Sequence, residues 1–428
     1  MAEIFGTPGD DTLVGTSGND RLTGGLGRDH LVGGGGRDIF IDTVAGFDGD
    51  TIDDFGPGDV IVITDGSPPL VGGWYDPNAE MEYGGGSMIV HNPIPGRIYV
   101  DSAPSGFAIR FVAVVANNDF NGDGRSDILW RDENGLLFNW VATPNGGFES
   151  NAANFATIVS TEWRVAGVGD FNGDGRQDLV WRQDVTGRLV DWLSTPTGGF
   201  NVNTTNFDSS LPSDVQIVGV GDFDGDSIDD LLLRRDDGLL CNWLGNSDGG
   251  FASNAANFAT VVSTEWRVLG VGDFNRDGRD DVLWRQDMTG HVLDWLGNAE
   301  GGLNTNSANF DTYVPSDWQL VAIGDFFGIR QDGVLWRDGN DELIQWNSVV
   351  DGSLWRNLVF SAKAPGADWH VVSTGDFNGD HQDDIMWRQD QTGHLVNWLS
   401  GWTGIFAPNT QNFDSSVPNY IHEQSPLL

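Results

Sequence analysis

From residue 107 to the C-terminus, short apolar runs rich in Val, Leu and Trp alternate with Gly, Asn and Asp turns. One unit reads W163RVAGVGDF, an acidic loop, D178LVWR, a turn, R188LVDWL and G198GF. Runs of this kind, bounded by turn residues, are antiparallel strands. No stretch sustains the period of an amphipathic helix. The unit also recurs: the first Asp of its loop falls at 119, 170, 222, 273, 325 and 376, in steps of 51, 52, 51, 52 and 51 residues. Every two steps sum to 103, and repeats one and three share S-N-A-A-N-F-A-T while two, four and six share W-R-Q-D-x-T-G. Four short strands per unit, six times over in three pairs, predict an all-β propeller of six blades. An open solenoid is one alternative. A seventh blade is another, drawn from 87–107, where R97IYVDSAPSGF107 echoes R188LVDWLSTPTGGF200. The tail V417PNYIHEQ424 echoes V314PSDWQLV321, a segment that elsewhere leads into the next repeat, so it is expected to close the ring.

The N-terminal pattern differs. Residues 6–41 divide without a gap into G6TPGDDTLV, G15TSGNDRLT, G24GLGRDHLV and G33GGGRDIFI. Asp11, Asp20, Asp29 and Asp38 hold the sixth position, followed by Leu13, Leu22, Leu31 and Ile39, with Phe40 beside the last. This phase is too regular for a flexible glycine-rich linker. It predicts a parallel β-roll, with glycines in the turns and the apolar residues stacked inward. The expected domains are 1–66, roll and cap; 67–106, cap or linker with strands at Ser87–His91 and Arg97–Val100; and 107–428, propeller.

The propeller loops read D119FNGDGRSD127, D170FNGDGRQD178, D222FDGDSIDD230, D273FNRDGRDD281 and D376FNGDHQDD384. A further copy, D325FFGIRQDG333, keeps the frame without the acids. Carboxylates at alternate positions of a tight turn suit a hard cation with oxygen ligands, and Ca2+ fits best. The loop is not an EF-hand: its twelfth position, a bidentate Glu in that motif, is Trp130, Trp181, Leu233, Trp284 or Trp387.

Two resemblances follow. The nonapeptides are similar to the RTX calcium-binding repeats of secreted bacterial proteins, which implies Ca2+ held by Asp11, Asp20, Asp29 and Asp38 with backbone carbonyls. The G-D-F-N-G-D-G cores, as at Gly169–Gly175, resemble FG-GAP/VCBS repeats, the class seen in integrin α-chain propellers. In that family the loop binds Ca2+ through positions 1, 3, 5 and 9 and a backbone carbonyl at 7. The resemblance thus implies ligands at Asp119, Asn121, Asp123, Arg125 and Asp127; at Asp170, Asn172, Asp174, Arg176 and Asp178; at Asp222, Asp224, Asp226, Ile228 and Asp230; at Asp273, Asn275, Asp277, Arg279 and Asp281; and at Asp376, Asn378, Asp380, Gln382 and Asp384. Ser227 and His381 stand where a turn glycine is usual, so those sites are expected to be weaker. Phe327 and Ile329 replace ligands, so that loop is expected to be empty.

Composition narrows the function. Lys+Arg is 22 and Asp+Glu 63, a net charge of −41, which excludes nucleic acid as a partner. Aromatic residues at 11%, with 18 Trp, indicate a packed core rather than acidic disorder. Trp recurs in register at 130, 181, 284, 336 and 387; at 140, 192, 243, 295, 346 and 398; and at 163, 266, 318 and 369. Blade packing is the expected role, with sugar-stacking platforms as the alternative. Arg131, Arg182, Arg234, Arg285, Arg337 and Arg388 follow the first Trp position and are expected to pair with carboxylates. The sole cysteine, Cys241, aligns with apolar strand positions and reads as structural. No membrane-spanning run and no secretion leader is visible in the sequence, so export by the type I route, uncleaved, is the expectation. No H-E-x-x-H, G-x-S-x-G, P-loop or dinucleotide motif occurs, so no catalytic residues are assigned. The expected protein is a Ca2+-binding adhesion or recognition module at the cell surface or outside the cell, with a glycan or protein ligand. A Ca2+-dependent self-assembling surface subunit and a lectin or glycan-active enzyme are the alternatives.

Overall fold

A computed structural model describes residues 2–56, 59–65, 78–83, 86–91, 96–103, 106–113, 116–358, 360 and 362–424. The chain divides into two units, the first built mainly from Met1–Val114 and the second from the repeats that follow.

The first unit is a parallel solenoid of about three turns. Ala2–Phe5, Asp20–Thr23, Ile39–Asp42 and Val60–Ile63 form one sheet; Thr12–Val14, His30–Val32, Thr51–Asp53 and Gly86–His91 form the other. Ala2 lies opposite Asp20 and Thr12 opposite His30, so two nonapeptides make one coil of 18 residues. The next coil takes 21, with His30 opposite Thr51 and Ile39 opposite Val60. Leu22, Leu31, Phe40, Ile52 and Ile61 stack inward and are fully buried. In the fourth nonapeptide Phe40 points inward and Ile39 is only partly buried, correcting the expected inward residue. Alternation along a strand allows one of the two to face the core, and Phe40 keeps the two-residue offset from its Asp.

Antiparallel strands end both sheets: Asn78–Tyr83 pairs with Gly86–His91, and Gly106–Ala113 pairs with Val60–Ile63 and with Gly96–Ala103. Both strands expected in 67–106 are present; residues 67–77 of that segment lie outside the described residues. The expected start of the propeller at 107 does not hold. Phe107 and Ile109 are buried in the solenoid core, so Gly106–Ala113 belongs to the first unit. The seventh-blade alternative drawn from 87–107 falls with it.

The second unit has six blades. In the second, Trp163–Gly169, Asp178–Gln183 and Arg188–Ser194 run antiparallel from the innermost strand outward. Its outer edge is split between Phe200–Val202 and Asp208–Ser210, both paired to the third strand. The first blade takes its innermost strand from the other end of the chain: Ile421–Glu423 pairs with Ile128–Asp132, Trp130 opposite Glu423. The tail therefore closes the ring, which excludes the open solenoid. The innermost strands carry a bulge, as between Val165 and Gly167. A Cβ at Gly167 would lie 2.9 Å from a Val220 methyl of the next blade, so glycine permits the close approach there.

Trp130, Trp181, Trp284, Trp336 and Trp387 are buried to 0–1% exposure and cannot present a face to a ligand. Each packs on the second Trp of its blade, with ring centroids 5.1–5.6 Å apart. Cys241 is half-buried, and burial raises its thiol pKa. His291 and His394 pair with Asp311 and Asp414 of the outer edge, as Arg188 does with Asp208.

The repeated arginines differ from expectation. Their principal partners are backbone carbonyls at the entrance of the next blade; Arg337 also makes the expected carboxylate pair, with Asp341 at 2.6 Å. Arg182 donates to Val215 (2.6 Å) and Pro212 (3.1 Å), and Arg285 to Trp318 (2.8 Å) and Pro315 (3.1 Å). Arg131, Arg234 and Arg337 donate likewise to Trp163, Trp266 and Trp369. Arg388 donates to Ile421 and Pro418, joining the sixth blade to the first. Arg131, Arg234 and Arg285 also lie 5.5–5.7 Å over the buried Trp of the following blade. A planar guanidinium spans two carbonyls while stacking, which an ammonium cannot do. Arg285→Lys should therefore cost about 2–3 kcal/mol in urea unfolding; an unchanged midpoint would refute the latch.

A second inter-blade contact uses amides. Asn139, Asn242 and Asn397 donate to the carbonyls of Gly198, Gly301 and Gly146 in the next blade's outer turn. Asp191 and Asp294 occupy the same place in the second and fourth blades and are buried to 0% exposure.

Candidate metal centres

In the second to sixth blades the loop joins the innermost strand to the second, in the first it leads into the second strand alone, and its first carboxylate organises the turn. Asp119 accepts the N–H groups of Gly122 (2.7 Å), Asp123 (3.2 Å) and Gly124 (2.7 Å). Asp376 does the same for Gly379, Asp380 and His381, and Asp273 for Asp277 and Gly278. Position 3 accepts from position 5, as Asn121 from Asp123 and Asn378 from Asp380. Position 5 accepts from position 7, as Asp226 from Ile228 and Asp380 from Gln382. Position 9 ties the loop to the third strand: Asp127, Asp178, Asp230, Asp281 and Asp384 each accept a loop N–H on one oxygen and a third-strand N–H on the other. All five are buried to 0% exposure.

Position 6 has a left-handed backbone: φ is 80° at Gly124, 81° at Gly175 and 75° at Gly278. Ser227 and His381 adopt it as well, at 68° and 67°, and Arg276 does so at position 4 with 63°. A non-glycine residue there costs about 1–2 kcal/mol, yet the turn is retained. In the Ser227 loop, the one loop with Asp at positions 1, 3 and 5, the carboxylate oxygens of Asp222, Asp224 and Asp226 come within 4.8 Å of one another. The replaced glycine therefore does not open this loop. In the first and fourth loops the position-7 guanidinium reaches the position-5 carboxylate, Arg125 to Asp123 at 2.6 Å and Arg279 to Asp277 at 3.4 Å. Ile228 cannot do so.

Burial raises the pKa values of position-1 and position-9 carboxyls such as Asp119, Asp273, Asp281 and Asp384, and neighbouring carboxylates add to it. Asp119 is pushed up to about 6 and Asp273 to about 7. Asp127, Asp230, Asp281 and Asp384 lie well above the usual range. Crowded oxygen donors whose charge is disfavoured by burial and repulsion fit a divalent hard cation, which would relieve both.

The fifth loop keeps the same position-1 contacts without the acids at positions 5 and 9. Asp325 alone accepts the N–H groups of Phe327, Ile329 and Arg330. The Phe327 ring packs on the turn of the sixth blade, where a Cβ at Gly404 would lie 2.6 Å from it. In the first loop, a Cβ at Gly198 of the equivalent turn would lie 3.6 Å from Asn121. An aromatic contact thus stands at this seam where the intact loops have polar ligands.

Position 8 was not singled out from sequence, yet it links the loops around the ring. Gln177 donates its N–H to the Asp119 carbonyl, Asp229 to Asp170, Asp280 to Asp222, Asp332 to Asp273, Asp383 to Asp325, and Ser126 to Asp376. Four of these side chains accept the reciprocal N–H: Asp229, Asp280, Asp332 and Asp383, at 2.7–2.9 Å. Order in one loop is thereby passed to its neighbour. The Asp-Asp doublets at 229–230, 280–281 and 383–384 were the available signal.

In the solenoid the predicted acids form a ladder. Asp11 donates its N–H to Asp29 (2.9 Å), and Asp20 to Asp38 (2.8 Å). The ladder continues through two acids the nonapeptide count missed: Asp29 donates to Asp50 and Asp38 to Asp59, both at 2.8 Å. Thr7 and Thr16 bond the second oxygens of Asp11 and Asp20; Thr7 lowers the Asp11 pKa, and the Ala2 N–H on the first oxygen, followed by Thr16, lowers that of Asp20. By contrast, the Oδ2 atoms of Asp29 and Asp50 are buried with no hydrogen-bond partner. A Cβ at Gly24 or Gly33 would lie 2.4 Å from Asp29 or Asp38 Oδ2, so glycine keeps the space beside these oxygens open. Burial pushes Asp38 up to about 6, Asp50 to about 7 and Asp59 to about 8. The orphaned oxygens of Asp29 and Asp50, with glycine-cleared space beside Asp29 and Asp38, fit Ca2+ held by these three acids.

Comparison with known proteins agrees with this geometry. A family model of the RTX calcium-binding nonapeptide repeat matches residues 5–40 in four copies. A model of the FG-GAP-like repeat matches residues 119–181, 170–233 and 222–284. No curated protein matches the chain. Among solved structures, BBS1N in complex with ARL6DN, from a lead-soaked crystal, is 12% identical, covers 72% of this chain and 82% of its own, and has a TM-score of 0.36. A Bacteroides uniformis protein described as a 6-phosphogluconolactonase is 10% identical, covers 66% and 81%, and has a TM-score of 0.38. Neither likeness carries an argument at that distance. The chain is a repeat protein with RTX calcium-binding nonapeptides in its solenoid and FG-GAP-like repeats in its six-bladed propeller.

Proposed function

We propose that the protein is an extracellular recognition module that Ca2+ folds and stiffens. The observation that carries this reading is the crowding of buried carboxylates in both units, with the buried oxygens of Asp29 and Asp50 left unpartnered. Such sites are costly to fold without a cation and stable with one. Millimolar Ca2+ outside the cell is sufficient for modules of this class. RTX repeats are typical of secreted proteins, and among the described residues no helix is long and apolar enough to cross a membrane.

One feature favours a saccharide ligand as a second reading. A cleft of about 390 Å³ is lined by Arg267, Asp287, Trp318 and Gln319 among others. Arg267 and Asp287 pair at 2.8 Å, and Trp318 is half-buried. Paired donors and acceptors beside an indole suit a pyranose. Binding to intact cells and to a glycan array, with Ca2+ and with EDTA, tests both readings. Ca2+-dependent binding supports recognition, and its loss in Trp318→Ala assigns the cleft. No binding to either surface with Ca2+ present would contradict the module reading.

A further inference from the structure

We propose that the sector around the eroded loop of the fifth blade is an interface between two copies of this chain. The repeats make it visible, because equivalent positions can be compared within one molecule. Ile329, 44% exposed, stands where every other loop has Asp. Trp355, 67% exposed, stands where the other blades place Glu149, Asn201, Ala252 or Asn304. Leu358, 85% exposed, replaces Ala, Ser or Thr. At the second position of the outer turn, Pro144 and Ser247 give way to Val350 in the fifth blade and Trp402 in the sixth, 76% and 89% exposed.

These residues fall in one sector. The turn carrying Trp402 packs on Phe327 of the eroded loop through Gly404. In the other blades the equivalent turn docks on the Asn corner of the blade before it, as Thr197 on Asn151 and Asp351 on Asn306, both at 2.8 Å. The turn carrying Trp402 therefore faces the fifth blade, whose own corner, at Asn357–Leu358, is one residue shorter than the others. Loss of the metal ligands and gain of exposed aromatic and aliphatic groups thus coincide.

Charge selects the occupant. A second copy carries the same −41 and is repelled from most of this surface. In this loop Ile329 and Gly333 stand where the intact loops have Asp, which lowers that repulsion here. The exposed apolar side chains amount to on the order of 600 Å², at the upper end of what a monomer leaves uncovered and close to the roughly 800 Å² each partner contributes to a standard interface. Two protruding tryptophans supply anchors of the type that dominate such contacts. A twofold arrangement uses the same patch on both copies and closes at the dimer.

Sedimentation velocity on the full chain in Ca2+, across a micromolar concentration series, tests this. The wild type should form a dimer. Trp402→Glu and Leu358→Glu, both at exposed positions, should each weaken it by about 30-fold or more with the melting temperature unchanged. A wild type that stays monomeric throughout overturns the proposal. So does an oligomer that persists in both variants, because its interface would lie elsewhere.

Discussion

Chelating Ca2+ with EDTA should lower the melting temperature of this protein by about 20 °C or more. Five loops keep their acids, and each site filled at a hundred times its dissociation constant adds about 2.7 kcal/mol to stability. Their sum, roughly 13 kcal/mol, is comparable to the whole stability of a typical domain. The reason lies in the carboxylates. Without a cation, folding must bury the repelling acids of each loop, with Asp119 pushed up to about 6, Asp273 to about 7 and Asp281 well above the usual carboxylate range. The N–H groups held by Asp119 and Asp376 shape the turns but do not neutralise them. The inter-blade bonds from position 8 to position 1 should make the loss cooperative, with one transition for the ring rather than a blade-by-blade decay. Circular dichroism melts in Ca2+ and in EDTA measure this. Superimposable curves would contradict it.

Asp191→Asn combined with Asp294→Asn should stabilise the protein near pH 8 and leave it almost unchanged near pH 4. Both carboxyls sit where Asn139 donates to the next blade, both are buried, and one oxygen of each has no partner. Asn203 and Asn306 bond the other oxygen, at 2.9 and 3.1 Å. Desolvation pushes each pKa up to about 7, from 3.8 in the unfolded chain. A raised carboxyl pKa means that the neutral form is favoured in the folded state. Its contribution is fully present below pH 4 and is lost as pH rises through about 7. Above that, the folded blade holds a buried anion where an amide or a neutral carboxyl would donate a hydrogen bond. The gain near pH 8 is on the order of a few kcal/mol for each site. Comparing variant with wild type at each pH in saturating Ca2+ cancels the loops' own titration. Equal stabilities at pH 8 would show that both sites accommodate the charge.

Much of the architecture was legible because it repeats. The loop register at 51 or 52 residues marked the blades, and the echo of V314PSDWQLV321 in the tail foretold the closing strand that the Trp130–Glu423 pairing shows. Gly106–Ala113 was misplaced because F107AIRFVA alternates like any exposed-edge strand, and alternation does not say which sheet a strand joins. Asp50 and Asp59 escaped because the coil lengthens from 18 to 21 residues, although D50TI and D59VI keep the Asp-x-apolar order of D11TL. The arginine partners were misread for a different reason. A conserved register predicts a common partner, but backbone carbonyls of the next blade have no sequence signature. The exposed sector at Trp355 and Trp402 could be seen only once burial separated packing tryptophans from exposed ones.

The most direct test is a count of bound Ca2+ by native mass spectrometry. The wild type should retain at least five ions, and replacing Asp222, Asp224 and Asp226 with Asn should remove one while the ring stays folded in Ca2+. A wild type without bound Ca2+, or a count unchanged by the triple substitution, would contradict the assignment of these loops as metal centres.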